Sequence, residues 1–399
     1  MTRIVFLITQ DLESPGGLGR YGPLAKSLAR LGHSVCIYGL HPNYAAHQQR
    51  KFIVEGVRVE YVAQEHIKKV GSKKIYFSIP VFLAVSLRAT WALALAAFRE
   101  PADIIYIGHP LPINIIPGIL AARWKRCRLF IDFNDLPSVS SRFSQEWQRW
   151  IVSFFERAGA RQADLVTMNA TATQDWLVRR GVPPQKIIYL AEGVDETRFP
   201  PAQAEAIHQK RTELRLGDAP VVAYVGTMGL VEHPIGLLLE AFSMILKVKP
   251  EVRLLMVGGG ESLDVLREQC HQLGIDGAVL FTGRVPPAQV AIYYQLAQAS
   301  IDPVNDDAIA RTRCPIKLFE SWMCGVPFVS ADVGDRCMLA GQPPAALLAK
   351  PGSPEHLAQA ILEVLSNPSL AEELRQRGYL RVHEYTYDRM VAGLAALFS

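Results

Sequence analysis

The chain alternates short β-rich apolar runs with longer helical patterns, and it does so twice. That alternation commits a sequence to parallel sheets joined by crossover helices. In the first half, strands are predicted at residues 4–8, 34–38, 57–61, 104–107, 129–133, 165–168 and 187–190. A helix is predicted from just after Gly19 to about Leu31. The second half restarts the pattern, with strands at 221–225, 254–257, 279–282, 299–303, 326–330 and 345–349 and a strongly apolar helix over 235–248. A chain of 399 residues is too long for one ordinary core, which makes two domains the default. The polar, proline-bearing stretch 192–220 is the natural divide. The expected organisation is a first domain over 1–192, a second over 193–380, and a terminal helix over 381–399 that packs back on the first.

Composition excludes several classes. With 49% apolar and 20% charged residues the chain is globular, and a net charge of +4 gives no footing for nucleic-acid binding. Six cysteines show no C-x-x-C pair and no zinc spacing, so they read as buried thiols in a reducing cytoplasm. The first ten residues look like a buried strand, not a signal peptide. The stretch 75–98 is apolar and aromatic, but Pro80 and Arg88 interrupt it. It is read as a buried or interfacial helix, not a membrane span.

The chemistry concentrates in a loop–helix–strand run, Pro315-Ile316-Lys317-Leu318-Phe319-Glu320 through Gly325-Val326-Pro327. Lys317 and Glu320 are three apart and share a helix face near the helix N-terminus, a place that favours anions. This suits a ligand with a phosphate for Lys317 and sugar hydroxyls for Glu320; a surface helix with one ion pair is the plain alternative. Glycine turns follow several predicted strands: Gly16-Gly17-Leu18-Gly19, Gly226-Thr227-Met228-Gly229, Gly258-Gly259-Gly260 and Gly283-Arg284. Open α/β sheets bind ligands at such strand ends. Singly each turn is ordinary; together with Lys317 and Glu320 they outline a crevice for a nucleotide. His109 lies past the end of an apolar strand, where an imidazole serves as a functional group or as a structural hydrogen-bonder. Asn134 and Asp135 end the neighbouring strand. Asp132 and the acidic run Asp302-Pro303-Val304-Asn305-Asp306-Asp307 make no clear metal site and read as solvated turns. Cations in residues 66–74, ahead of an apolar aromatic stretch, suit an anionic membrane face; a solvated loop before a core helix is the simpler reading.

Together these residues resemble glycosyltransferase family 4, retaining enzymes of the GT-B fold. The resemblance rests on Gly16–Tyr21, on Glu192-Gly193-Val194-Asp195 with Phe199, on Tyr224-Val225-Gly226, on Val257 to Gly260, on Val279 to Gly283, and above all on Lys317 to Pro327. It implies two Rossmann-like domains facing each other across a cleft, with the terminal helix crossing back. It implies sugar transfer from a nucleotide diphosphate to a hydroxyl acceptor with retention, and neither a metal nor another cofactor. Glu320 would bind the ribose, and Lys317 or Arg313 the diphosphate, with His109 against the donor sugar. Gly17, Gly19, Gly226, Thr227, Gly258, Gly259, Arg284, Thr312 and Leu318 would line the donor. The partners implied are a nucleotide sugar and a sugar or lipid-linked acceptor, in the cytoplasm or on the inner face of the membrane; nucleic acid is not among them.

Three positions depart from the family pattern. Its second-domain arginine falls at Thr227, its diphosphate lysine near His233, and the first glutamate of its paired-glutamate motif at Thr312. One charge-assisted hydrogen bond contributes about 1.5–3 kcal/mol. Two lost without replacement would slow transfer by roughly two to four powers of ten. The expectation is substitution, by Lys317 with Arg284, Arg311 or Arg313. A non-catalytic sugar-nucleotide scaffold, or another GT-B enzyme such as an epimerase, is the competing reading.

Overall fold

The structure is a computed structural model that describes every residue except Ser72, residues 141–144, residues 231–232, Ser399 and the side chain of Lys73. The chain forms two compact units. One comprises Met1–Gly193, Thr312–Cys314 and the segment from Tyr387 on; the other comprises Val194–Arg311 and Pro315–Thr386.

Among the described residues, ten strands form in the first unit: β1 (Arg3–Ile8), β2 (Ser34–His41), β3 (Lys51–Val54), β4 (Val57–Gln64), β5 (Ile67–Val70), β6 (Lys73–Tyr76), β7 (Ile104–Gly108), β8 (Arg128–Phe133), β9 (Leu165–Met168) and β10 (Ile187–Tyr189). β5 and β6 make a separate hairpin; the other eight form one sheet in the order β10-β9-β8-β7-β1-β2-β4-β3. Its pairings are parallel except β3 with β4. β1 and β7 are buried almost throughout, which explains their unbroken apolar sequences: a parallel strand covered on both faces has no side to leave polar. Strand order reverses between β1 and β7, and this switch point is where such sheets open a crevice.

The helices of this unit that matter below are α1 (Gly22–Arg30), α2 (Ile79–Arg99), α3 (Pro112–Lys125) and α4 (Glu146–Gln162). The chain end belongs to this unit too. Phe398 packs its ring 5.6 Å from that of Phe130, and Asp388 accepts hydrogen bonds from Ser27 (2.6 Å) and Arg30 (2.7 Å) on α1.

The second unit is a six-stranded, all-parallel sheet: β11 (Val221–Val225), β12 (Arg253–Val257), β13 (Val279–Gly283), β14 (Ala299–Ile301), β15 (Phe328–Ala331) and β16 (Ala346–Ala349), in the order β13-β12-β11-β14-β15-β16. Its switch point lies between β11 and β14. α5 (Ile235–Val248) and α6 (Ile316–Met323) are the helices that frame it here. Two α/β units of parallel sheet are the fold class expected from the doubled alternation.

Several details differ from the sequence reading. β3 and the β5–β6 hairpin are strands where none was predicted, and the hairpin replaces a solvated loop. The first helix begins earlier, as a π-helical turn over Gly17–Tyr21. The apolar stretch at 75–98, read as a buried or interfacial helix, is mostly exposed, so the buried alternative does not hold. Residues 75 and 76 belong to β6, and only Ala89, Leu93, Ala96 and Ala97 of α2 are buried. Cys36, Cys270 and Cys314 are buried as expected, but Cys337 is exposed on the short helix Arg336–Ala340.

Candidate functional site

In the second unit, three strand-end turns lock together through glycine. The Gly226 amide donates to the Val257 carbonyl (2.9 Å), that of Met228 to Gly259 (3.1 Å), and that of Gly258 to Gly283 (3.0 Å). Gly258 has φ +130°, and a Cβ there would lie 2.0 Å from the Gly226 carbonyl oxygen. These glycines are therefore required first for backbone to approach backbone. The edge they form faces Lys317, since a Cβ on Gly226 would meet the lysine Cε at 2.7 Å.

Lys317 is fixed from several directions. Nζ donates to Asp302 Oδ1 at 2.9 Å and lies 5.2 Å from the ring centre of Tyr224, whose hydroxyl donates to the Thr227 carbonyl (2.8 Å). Asp302 sits just past β14 and is buried. Its Oδ2 accepts from Arg336 at 3.1 Å, and Arg336 is buried as well. Burial alone would push the Asp302 carboxyl up; Lys317, Arg336 and His233 outweigh it and hold the group below the usual carboxylate range. Two cations share one carboxylate. Among the described ion pairs of Asp302, cations outnumber the carboxylate two to one, at the switch point of the sheet.

One turn along α6, Glu320 turns elsewhere. Tyr294 donates to its Oε2 at 2.9 Å, and Arg198 stands 3.9 Å from Oε1. Burial raises the Glu320 carboxyl, while Arg198 and the Tyr294 hydroxyl oppose the rise. Lys317 and Glu320 therefore do not pair with each other, and α6 is not a surface helix with one ion pair. It offers a positive end and an acceptor oxygen, a turn apart.

In the first unit the comparable position is closed. Arg20, from the π-helical turn, is fully buried and donates to Asp132 through both Nε (2.7 Å) and Nη2 (2.6 Å). It also donates to the carbonyls of Leu190 and Ala191, each at 3.1 Å, and lies 3.6 Å from Glu192. Glu192 accepts from Asn169 (2.9 Å) and from Tyr387 (3.1 Å), and Thr167 donates to Asp132 (2.6 Å).

Beside this network, His109 follows β7 with a left-handed φ of +52°, an uncommon conformation for a side-chain-bearing residue. Its Nδ1 lies 3.4 Å from Asn134 Oδ1, which also accepts from Tyr21 (2.9 Å). With that oxygen as acceptor, the hydrogen-bond network assigns the proton to Nδ1 and leaves Nε2 a free lone pair. Desolvation lowers the His109 pKa, against the pull of Asp135, so the ring is neutral at pH 7.

The structure thus gathers Gly226, Thr227, Gly258, Gly259 and Lys317 at one edge of the second unit, with Glu320 a turn away. Arg284 follows β13 and is exposed. Leu318 is buried on α6, with 1% of its surface exposed. Gly17, Gly19 and His109 belong to the first unit, and so do Thr312 and Arg313. Arg313 donates to Asp135 at 3.0 Å, and Arg311 is exposed and paired with Asp306 (2.6 Å). The arginine that shares a carboxylate with Lys317 is Arg336. Sequence reasoning missed Arg336 and misread Asp302 and Asp132 as solvated turns. The signal available was position: each aspartate closes or directly follows an apolar strand, and buried carboxylates need partners.

With this geometry, similarity to known proteins becomes informative. Residues 206–381 match the family model described as glycosyl transferases group 1, and residues 16–193 match the glycosyl transferase 4-like domain. Among relatives, a D-inositol 3-phosphate glycosyltransferase from Acidothermus cellulolyticus is 25% identical, over 98% of this chain and 88% of its own length. One of the same name from Segniliparus rotundus is 28% identical over 54% of this chain, and the match spans 47% of that protein. An alpha-monoglucosyldiacylglycerol synthase from Streptococcus pneumoniae is 25% identical, over 61% of this chain and 56% of its own length. Among solved structures, sucrose-phosphate synthase from Thermosynechococcus elongatus superposes with TM-score 0.80 at 19% identity, covering 100% of this chain and 98% of that one. Anabaena HepE in complex with UDP-glucose superposes with TM-score 0.74 at 17% identity, with both chains fully covered. Both halves of the sequence are matched by models of one family, and both sheets by its fold; the chain belongs to the group 1, family 4 glycosyltransferases and has the GT-B fold.

Proposed function

We propose that this protein transfers a sugar, with retention, from a nucleotide-diphosphate donor to a hydroxyl acceptor, with no metal ion. The observation that carries the reading is the pair of cations on Asp302. Lys317 and Arg336 leave a net positive charge at the strand ends, where a departing diphosphate needs stabilisation. Glu320, one turn on, is an acceptor suited to ribose hydroxyls. His109 Nε2 accepts from a hydroxyl of the donor sugar. In a front-side transfer the leaving phosphate takes the acceptor proton, so no protein base is needed.

The names of the relatives point to inositol phosphate and glycolipid acceptors, which fits a sugar or lipid-linked acceptor here. The cytoplasm, at the inner face of the membrane, is the compartment that supplies both substrates. The test is a panel of nucleotide sugars, with and without chelator, read by release of nucleoside diphosphate and by anomeric NMR of the product. One donor turned over with retention and with no chelator effect supports the reading. Binding without turnover, even with membrane extract as acceptor source, assigns a scaffold; inversion or loss with chelator rejects the mechanism.

A further inference from the structure

The least explained surface of the molecule is α2. It is long and apolar enough to cross a membrane, yet only 22% of its most apolar eighteen residues are buried. Its two halves behave differently. From Ala89 on, Ala89, Leu93, Ala96 and Ala97 anchor it to the first unit's core. Residues 79–84 are exposed at every position, with Ile79, Val81, Phe82 and Leu83 among them; Leu87 and Trp91 continue the exposed apolar surface. Large apolar patches left to water mark an interaction site.

The surface extends beyond one helix. α2 packs on α3, and α3 on α4. Phe98 of α2 meets Trp124 of α3 edge-on at 6.4 Å. On α4, Trp150 and Phe154 stack at 5.9 Å and both are exposed. Exposed tryptophans around an apolar centre are the side chains that settle at a membrane–water boundary.

Charge selects the occupant. Residues 66–98 carry Lys68, Lys69, Lys73, Lys74 and Arg88 and not one aspartate or glutamate. Lys69 turns to Asp11 (3.4 Å), while Lys68 and Lys74 are exposed on the hairpin directly before α2. A second copy of the chain would bring a like-charged collar against this one; an anionic bilayer is complementary to it.

We propose that the first unit docks on an anionic lipid bilayer through α2, with residues 79–88 lodged among the acyl chains of one leaflet. Lys68, Lys74 and Arg88 sit at the headgroups, Arg88 by extending its stem. The exposed start of α2 lies along the leaflet surface, its apolar side chains among the upper acyl chains and the hairpin before it level with the headgroups. The helix does not span, its other half being held by the protein core. Resting on the transfer reading, docking supplies the acceptor class: a hydroxyl on a lipid-linked molecule, presented from the surface on which the enzyme sits.

The experiment is vesicle flotation of the full chain, with phosphatidylcholine alone and with about one-third phosphatidylglycerol. The chain is expected to float with the anionic vesicles and about tenfold less with the neutral ones. The variant Leu83→Glu/Leu87→Glu should lose binding by about tenfold or more, and Lys68→Glu/Lys74→Glu by about fivefold per cation. Because the altered side chains are exposed, nucleoside-diphosphate binding should not change. In the unaltered chain, brominated lipids should quench tryptophan fluorescence. No flotation with either vesicle, undiminished flotation of the Leu83/Leu87 variant, or a dimer that this variant converts to monomer would each overturn the proposal. A chain that floats but transfers no sugar breaks the transfer reading alone; one that glycosylates soluble acceptors and ignores vesicles breaks this one alone.

Discussion

Each unit buries an aspartate at or just past a strand end beside its switch point and gives it an arginine, but the two arrangements have opposite charge balance. In the first unit Arg20 faces both Asp132 and Glu192, and its nitrogens also meet the Leu190 and Ala191 carbonyls. Nothing positive is left over for a ligand. In the second, one carboxylate serves Lys317 and Arg336, with His233 close enough to act on it. A buried ion cluster with its charge neutralised holds a fold together; one with surplus charge waits for a counter-ion. On this difference the proposed donor site rests on the second unit's cluster, without reference to any relative.

That contrast can be broken by mutation. Arg20→Ala should have the largest effect on stability. It strands Asp132 and Glu192 in the interior, and removing one partner of a buried pair costs about 3–5 kcal/mol. Urea unfolding reads it out; a loss below about 1 kcal/mol would show the network to be dispensable. Lys317→Ala should be milder for stability, because Asp302 keeps Arg336. It should instead weaken nucleoside-diphosphate binding by about 1.5–3 kcal/mol, roughly ten- to a hundredfold. Calorimetric titration checks this, and equal affinities would remove Lys317 from the site. Glu320→Ala should weaken nucleotide binding by about 1–3 kcal/mol while the protein stays folded.

The smallest effect concerns a group outside both clusters. Burial pushes the Glu156 carboxyl up to about 7, against its hydrogen bonds to Ser138. Because the unfolded chain ionises first, rising pH between the usual carboxylate range and about 7 draws the protein toward unfolding. Glu156→Gln cannot ionise. Its Tm relative to the unaltered chain should rise by a few degrees from pH 5 to pH 8 and level off above; a parallel pH dependence would show that Glu156 does not carry the effect.

The same contrast explains how far the sequence could be read. Apolar runs such as residues 4–8 and 221–225 announce strands because a doubly covered strand has no polar face to confuse the pattern. β5 and β6 escaped because Lys68, Lys69, Lys73 and Lys74 break any alternation. The glycine turns and Lys317 were legible as local motifs. The ion clusters were not, because their partners are far apart in the chain: Arg20 and Asp132 by 112 positions, Asp302 and Arg336 by 34. An aspartate after a strand looks the same in sequence whether it caps a turn or neutralises a buried arginine. For α2, composition gave an apolar helix, but which side is covered depends on packing that no periodicity within one helix reveals.

The central claim is that surplus positive charge at Lys317 and Arg336 grips the diphosphate while Glu320 grips the ribose. Binding of a set of nucleoside diphosphates and of the matching uncharged nucleosides to Lys317→Ala and Glu320→Ala tests it most directly. The account expects Lys317→Ala to weaken the diphosphate at least tenfold and leave the nucleoside unchanged, and Glu320→Ala to weaken both. Nucleoside and diphosphate losing equally in Lys317→Ala, or neither losing in either variant, would contradict it.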